Sequence, residues 1–512
     1  MTRKFSSITF KFKKNRLLYI SLSILIFLSF FLYVFTLQTY HKIELLSVII
    51  RQRFGRFYLW LGLLCVLLLI VLTCSKWGKR RLGIPSDRPQ FSRLAWISML
   101  YSAGMGAGIL LRAVQEPVFM KNHPPLGIDT HTDIIALEYT FYQWGFTAWA
   151  FYAVFAIAIG YYLFVRSKKV LSSSAFSSVE NFITSKKQQH LIFNSVDILA
   201  ILTTVFGLVA AVGLGTTQIK GGLTHLLHHD MGLTLTILVL LLISILAFIS
   251  VFRGVNKGIK VISTLNIYCT IGLLLFIFVQ GDSIHIIRQF IVSLYHYIVD
   301  FIPLSLAYGN YNPGEAFLTD WTYYYWAFWL AWAPFTGIFI ARISKGRTLR
   351  ELILGVLLVP SLGTFFWFTT FGQSAFSIIE DMGTYQGQFD DVFSSIFIFF
   401  EHYPFQGIIN TIVVLLLISF LVTSLDSAIF VLSMFTDNGR QEPSKRHRFL
   451  WSVIVFIFSI GILLLGNVKA EINVLIAMQK LLIITSLPFA ILMVFMIVLF
   501  IIDFRKNYKS DN

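Results

Sequence analysis

Apolar residues run through this chain in stretches of about 20, parted by short polar or basic segments, and a stretch of that length crosses the hydrocarbon core of a bilayer as a helix. Twelve such stretches predict spans near 17–37, 54–74, 93–114, 138–165, 191–217, 232–251, 259–280, 322–342, 351–372, 407–435, 449–466 and 474–503. The first two are plain, without a central ionisable residue or a Gly/Pro break, so residues 1–92 read as a basic tail and two accessory helices. Residues 282–321 read as an amphipathic helix and loop outside the membrane. Five spans precede that segment, in 93–281, and five follow it, in 322–503, before a short tail at 504–512. Two sets of five, each opening on an interrupted helix, have the pattern of an inverted repeat.

Composition narrows the class. The chain has 512 residues, 56% hydrophobic and 13% charged, with mean hydropathy +0.75. A soluble protein of this size carries roughly 25% charge. The reading is an all-α polytopic membrane protein. Its net charge of +16 raises nucleic acid as a partner, but the distribution points elsewhere. With both termini cytoplasmic, about three quarters of the 41 lysines and arginines fall on the inside, following the positive-inside rule. The expected outside loop 373–406 has no lysine or arginine. The charge is a topology signal for a plasma-membrane protein, with some attraction to anionic lipid. Cys65, Cys74 and Cys269 lie in or at the ends of apolar spans, with a spacing that suits neither zinc nor a disulfide framework. The first span lacks a small-residue cleavage site and reads as an anchor helix, not a signal peptide.

Candidate chemistry sits where the apolar pattern is interrupted. The third span holds Gly104, Met105, Gly106 and Gly108 in succession. Gly104 and Gly108 form a GxxxG, which suits close helix packing. The alternative is an unwound segment whose freed carbonyls face a solute or ion. Arg112, deep in the same span, has three readings: a ligand for a solute carboxylate, an i,i+4 partner of Glu116, or a snorkelling side chain. The eighth span opens with seven aromatics among the eleven residues Trp321 to Ala331, and a break is expected at Ala333-Pro334. At 100° per residue Tyr325, Phe328, Trp329 and Trp332 share an arc of about 100°. Such an arc is either packing and interface belt or a set of π-faces offered to a cation. Trp144, Trp149 and Tyr152 of the fourth span read by themselves as core. Asp197 reads as a structural pair, and the cluster His225, His228, His229 and Asp230 has metal-ligating residue types without a defining geometry.

The stretch WAPFTGIFIARISKGRTLRELILGVLLVP, ending at Pro360, resembles the signature of the betaine/carnitine/choline transporter family, with its WxxW-x-P-F helix and ARISxGRTxRE loop. Gly104-Met105-Gly106-Ala107-Gly108 through Glu116-Pro117 resembles the family's GMGxG…EP motif, which favours the unwound reading. Trp144, Trp149 and Tyr152 resemble a Trp…Trp-x-x-Tyr pattern whose aromatics face the substrate. Phe420 to Ser427 resembles F-x-x-TSxDS, and AMQKLLIITSLPFAILM, with Lys480 and Pro488, is again family-like. The resemblance covers roughly residues 93 to 500 and implies a LeuT-like fold, two accessory helices followed by a five-plus-five inverted repeat, with a homotrimer as the usual assembly.

It further implies a secondary transporter of a small quaternary ammonium or related zwitterion of the glycine betaine, carnitine or choline type. The cationic head would sit against Trp144, Tyr152, Trp329 and Trp332, with Phe328 where the family typically has a third tryptophan. Thr423 and Ser424, with the carbonyls of Phe420, Ser102 and Met105, would give five oxygens to a hard cation such as sodium, making the transport symport. The other reading of the Thr-Ser pair is back-bonding to its own helix. Asp426 is a structural acceptor. Some family exchangers carry an arginine in place of a sodium ion, at a position that here matches Asn266. Arg112 and Ala113 also depart from the family pattern, which keeps a sodium-independent exchanger or uniporter as the alternative and argues against a purely cationic substrate. The short tail speaks against tail-based osmosensing. A polytopic membrane enzyme is the remote alternative, since no His/Asp pair of reactive spacing stands out.

Overall fold

The computed structural model describes residues 15–104, 106–126, 132–169, 171–230, 232–253, 258–440, 442–468 and 473–510. Helix is the element an apolar span must adopt, because lipid offers its backbone no hydrogen-bond partners. Helices α1 (Arg16–Val34) and α2 (Thr36–Cys74) meet at Phe35. The third expected span is covered by α3 (Arg93–Gly104), α4 (Gly108–Arg112) and α5 (Gln115–Asn122), and the fourth by α6 (Thr132–Trp144) and α7 (Phe146–Gly160). Then come α8 (Lys186–Leu227), α9 (Gly232–Arg253), α10 (Gly258–Gln280) and α11 (Ser283–Val299). The remaining long helices are α12 (Tyr324–Ile343), α13 (Leu349–Met382), α14 (Gln406–Thr436), α15 (Lys445–Leu465) and α16 (Val474–Ser510). Among the described residues ten helical segments are long and apolar enough to cross a membrane, or eleven if the pair α10–α11, bent by 111°, counts as one. Among them there is no strand, only an isolated bridge between Arg81 and Thr348.

Helix α12 lies at the centre, packed on α7, α8 and α16. Small residues let it approach. A Cβ on Gly337 would fall 2.6 Å from the Phe155 ring, and one on Gly207 of α8 would fall 3.0 Å from Ala331. The two helices expected to be accessory pack onto this body, α2 against α16 and α7, and α1 against α15 and α8. Lys480 of α16 holds α2 by an ion pair with Glu44 at 2.6 Å and a hydrogen bond to the Tyr40 hydroxyl at 2.9 Å. Asp197 has structural partners, accepting from the Ser173 amide and hydroxyl at 2.8 Å each.

Three expectations need correction. The second span does not start at residue 54: α2 begins at Thr36 and runs for 39 residues, because no helix-breaking residue separates its polar first half from its apolar second half. The third span is in separate helical pieces, in agreement with the interrupted helix expected there, as a glycine-rich segment allows. The fourth is interrupted at Gly145, where a Cβ would meet the Phe141 carbonyl and the Phe365 ring. Helix α12, finally, does not break at Ala333-Pro334. Pro334 sits inside a continuous 20-residue helix. Opening it in a buried setting would strand further carbonyls, each costing several kcal/mol. The indole N–H groups of Trp329 and Trp332 pin the helix on both sides, to the Gln143 and Gly207 carbonyls at 2.9 and 3.1 Å.

The basic loop after α12 forms a clasp. The Leu82 amide donates to the Arg347 carbonyl and the Gly346 amide to the Leu82 carbonyl, both at 2.8 Å. Gly346 has φ +82°, a conformation that favours glycine. The buried Arg347 guanidinium lies 4.2 Å over the Trp96 ring, donates to the Phe91 carbonyl at 2.8 Å and pairs with Glu351. Arg350 donates to the Thr73 carbonyl at 2.8 Å, capping the end of α2. The arginines are therefore structural staples as well as topology signals. A planar fork makes these contacts and an ammonium does not. Arg347→Lys is expected to cost about 1–3 kcal/mol, nearly as much as Arg347→Ala, in thermal unfolding of the detergent-solubilised protein.

Candidate functional site

The arc on α12 and the break at Gly145 meet at one cavity. Phe328, Trp329 and Trp332 of α12, Trp144 at the end of α6, and Gly106, Ala107, Gly108 and Leu111 form part of its wall. Helix α14 adds Leu421 and Ser424, and α8 adds Leu208, Ala211, Val212, Leu214, Gly215 and Gln218. The rings contact one another: Trp144 and Trp329 are 5.2 Å apart, Phe328 and Trp329 are 5.3 Å apart, and Phe328 and Trp332 are 6.0 Å apart. Small residues complete the fit. A Cβ on Gly108 would lie 3.3 Å from the Trp144 ring, and one on Gly106 would lie 3.6 Å from the Ser424 Oγ.

Every indole N–H of the lining is committed to protein. Trp329 and Trp332 donate to the carbonyls described above, and Trp144 donates to the Glu116 Oε2 at 3.1 Å. What these tryptophans present to the cavity is therefore ring, not donor. A ring face attracts a desolvated cation by about 2 kcal/mol and asks no hydrogen bond of it. The wall thus suits a bulky apolar cation better than a hydrogen-bonding sugar or a nucleotide.

Other expected residues fall outside the wall. Trp149 and Tyr152 are buried behind it, Trp149 edge-on to Tyr152 at 5.7 Å and Tyr152 edge-on to Trp329 at 6.1 Å. Tyr325 shares the arc, yet its hydroxyl donates to Glu116. Arg112 is buried but turned to its own helix turn, donating to the Gln115 Oε1 at 2.6 Å, with Glu116 at 3.9 Å and the Trp321 ring at 4.8 Å. Of its three readings this geometry is the i,i+4 pair.

Gly104 ends α3, Met105 lies outside the described residues, and so does the Ser102 side chain. Phe420 and Thr423 do not line the cavity, although Ser424 does. The Thr423 hydroxyl donates to the Ser419 and Phe420 carbonyls at 3.0 Å each, so its proton is directed into the helix while its lone pairs stay free. Asp426 accepts from the Ser250 hydroxyl at 3.2 Å, a structural contact to α9. Asn266 accepts from the Ser419 hydroxyl. The histidine cluster does not converge: His225 faces Glu401 at 3.1 Å and Asp230 pairs with Lys220 at 2.7 Å.

The α8 wall went unread in the sequence. Leu208, Ala211, Val212 and Gly215 fall at i, i+3, i+4 and i+7 in a run of small residues, which marks one tightly packed face, and Gln218 follows in the apolar part of the same helix.

Glu116 ties the wall together, since Arg112, Trp144 and Tyr325 all converge on its Oε2. Removing one partner of a buried pair leaves an uncompensated charge, at about 3–5 kcal/mol. Glu116→Ala is expected to lower the unfolding midpoint strongly, and the double variant Arg112→Leu with Glu116→Leu to recover part of the loss. Tryptophan-fluorescence melts of the three proteins check this.

Comparison with known proteins agrees with this geometry. The family model for the betaine/carnitine/choline family transporters matches residues 16–509. The glycine betaine transporter OpuD of Bacillus subtilis is 34% identical over 452 residues, covering 88% of this chain and 86% of that protein. An ectoine/hydroxyectoine transporter of Virgibacillus pantothenticus is 31% identical over 463 residues, covering 89% and 90%. A high-affinity choline transport protein of Escherichia coli is 31% identical over 456 residues, covering 87% of this chain and 65% of its own length. A match over nearly the whole chain, together with the cavity of aromatic rings in a helical membrane body, makes this protein a member of the betaine/carnitine/choline transporter family.

Proposed function

We propose that the chain moves a small quaternary ammonium or zwitterionic solute of the betaine type across the plasma membrane by alternating access, coupled to sodium. The observation that carries the reading is the cavity whose tryptophans turn their N–H groups away and their rings inward. The head of the solute would rest on Trp144, Trp329 and Trp332, with Phe328 as the weaker π-donor. Glycine betaine, choline and ectoine are named as solutes of relatives, and glycine betaine is the first candidate here.

In this reading twelve spans form two accessory helices and a five-plus-five inverted repeat, with both termini cytoplasmic and a homotrimer in the bilayer. The bundles rock about the site, and the interrupted α3–α4 region supplies backbone for it. Sodium would be held by hydroxyl and carbonyl oxygens of Thr423, Ser424, Phe420, Ser102 and Met105. The donor chemistry fits a hard cation: the free lone pairs of Thr423 and the nearness of Ser424 to Gly106 support it. Bound there, the ion would supply charge that favours the conformation open to solute. The protein's own part is to hold the oxygens together and to keep the rings packed until a solute parts them.

Titrating glycine betaine, carnitine and choline into the purified protein, with and without sodium, tests this through tryptophan fluorescence. The expected result is saturable, sodium-dependent binding that weakens about 30-fold in Trp332→Ala, the equivalent of one desolvated cation–π contact. In Thr423→Ala the sodium dependence should vanish while solute binding at high concentration persists. Saturable binding indifferent to sodium would overturn symport and leave an exchanger or uniporter. The absence of binding by any of the three would overturn the substrate class.

A further inference from the structure

Gln218 is 0% exposed and lines the cavity, yet neither its Nε2 nor its Oε1 has a hydrogen-bond partner in the protein. Burying an amide with both ends unmet is costly, and natural helices rarely tolerate it without a compensating ligand. An apolar residue would serve the packing of α8 better. The surrounding accounts sharpen the point. Trp144, Trp329 and Trp332 have spent their N–H groups, and Arg112 is engaged by Gln115 and Glu116 and does not reach the wall. Among the described lining residues, Gln218 and Ser424 carry the remaining polar side-chain atoms.

Position adds direction. The α8 residues of the wall run from Leu208 to Gln218, about 15 Å of helix at 1.5 Å per residue. Trp332 is bonded at one end, to the carbonyl of Gly207. Gln218 stands at the other. The wall therefore carries rings and an unmet amide at different levels of α8, the polarity expected for a solute with a cationic head and an anionic second end.

We propose that Gln218 recognises the carboxylate of a zwitterionic solute, its Nε2–H donating to a carboxylate oxygen while the head rests on Trp144, Trp329 and Trp332. A carboxylate accepts hydrogen bonds and donates none, so the amide nitrogen is the matching end. A neutral amide suits a transport cycle, because it leaves no unpaired buried charge when the solute departs, as an arginine would. This inference rests on the betaine-type reading above and adds to it a contact that selects zwitterions over plain cations.

The test compares glycine betaine with tetramethylammonium, which is the head without the carboxylate, on the purified full-length protein. Wild type is expected to bind glycine betaine more tightly. Gln218→Leu should weaken glycine betaine at least about tenfold, the loss of one charge-assisted hydrogen bond, and leave tetramethylammonium within about twofold. Gln218→Glu should reject glycine betaine further and improve tetramethylammonium. Because leucine relieves an unmet amide, the melting midpoint of Gln218→Leu should equal or exceed that of wild type. Equal weakening of both solutes, an unchanged glycine betaine affinity, or a lowered midpoint in both variants would overturn the assignment and make Gln218 a structural residue. Wild-type protein that binds neither solute would instead sink the betaine-type reading, and this contact with it.

Discussion

A donor inside a membrane protein must be spent somewhere, and where the tryptophan N–H groups are spent decides what this cavity can hold. Lipid and packed helices offer no water, so each indole seeks a carbonyl or carboxylate of the chain. Trp329 and Trp332 find carbonyls on α6 and α8, and Trp144 finds Glu116. These bonds fix the rings edge-on or stacked to one another in the cavity wall. The same bonds hold α12 to its neighbours, so the ligand surface and the helix packing share their causes.

That coupling explains why α12 stays whole across Pro334. Proline removes one backbone bond, but two side-chain bonds from the preceding turns, to α6 and α8, keep the register. The interruptions lie instead on the partner elements, after Gly104 and at Gly145, where glycine lets another backbone or ring come close. At the far end of α12 the Arg347–Trp96–Glu351 clasp ties the following loop to the segment between α2 and α3. A helix anchored at its middle and its end is held to its neighbours over its whole length.

The legible part of this protein is the part governed by local pattern. Apolar run length called helices where α1, α8, α9, α12 to α16 stand, because a lipid-facing backbone has no other choice. The aromatic arc on α12 placed Phe328, Trp329 and Trp332 together because helical geometry alone puts i, i+1 and i+4 on one side. Family motifs brought Trp144, Gly106, Gly108 and Ser424 to attention before any contact was known. Tyr325 shares the arc, Trp149 and Tyr152 share a family motif, and Arg112 stands out as a charge within a span, yet none of the four lines the cavity.

The difference lies in which partner wins each side chain. A sequence states that Arg112 and Glu116 are one turn apart, but not that Tyr325 and Trp144 from other helices also claim that carboxylate. It marks a proline, but not the flanking bonds that keep the helix continuous. It contains Gln218 without indicating that the amide ends up buried and unpartnered in the wall of the cavity. Helix content, the membrane and the family were determined by the sequence, because they depend on hydrophobic period and contiguous motifs. The wall of the cavity and the fate of each polar group were decided by tertiary packing alone, because a hydrogen bond in a dry interior goes to whichever distant residue the fold brings within reach.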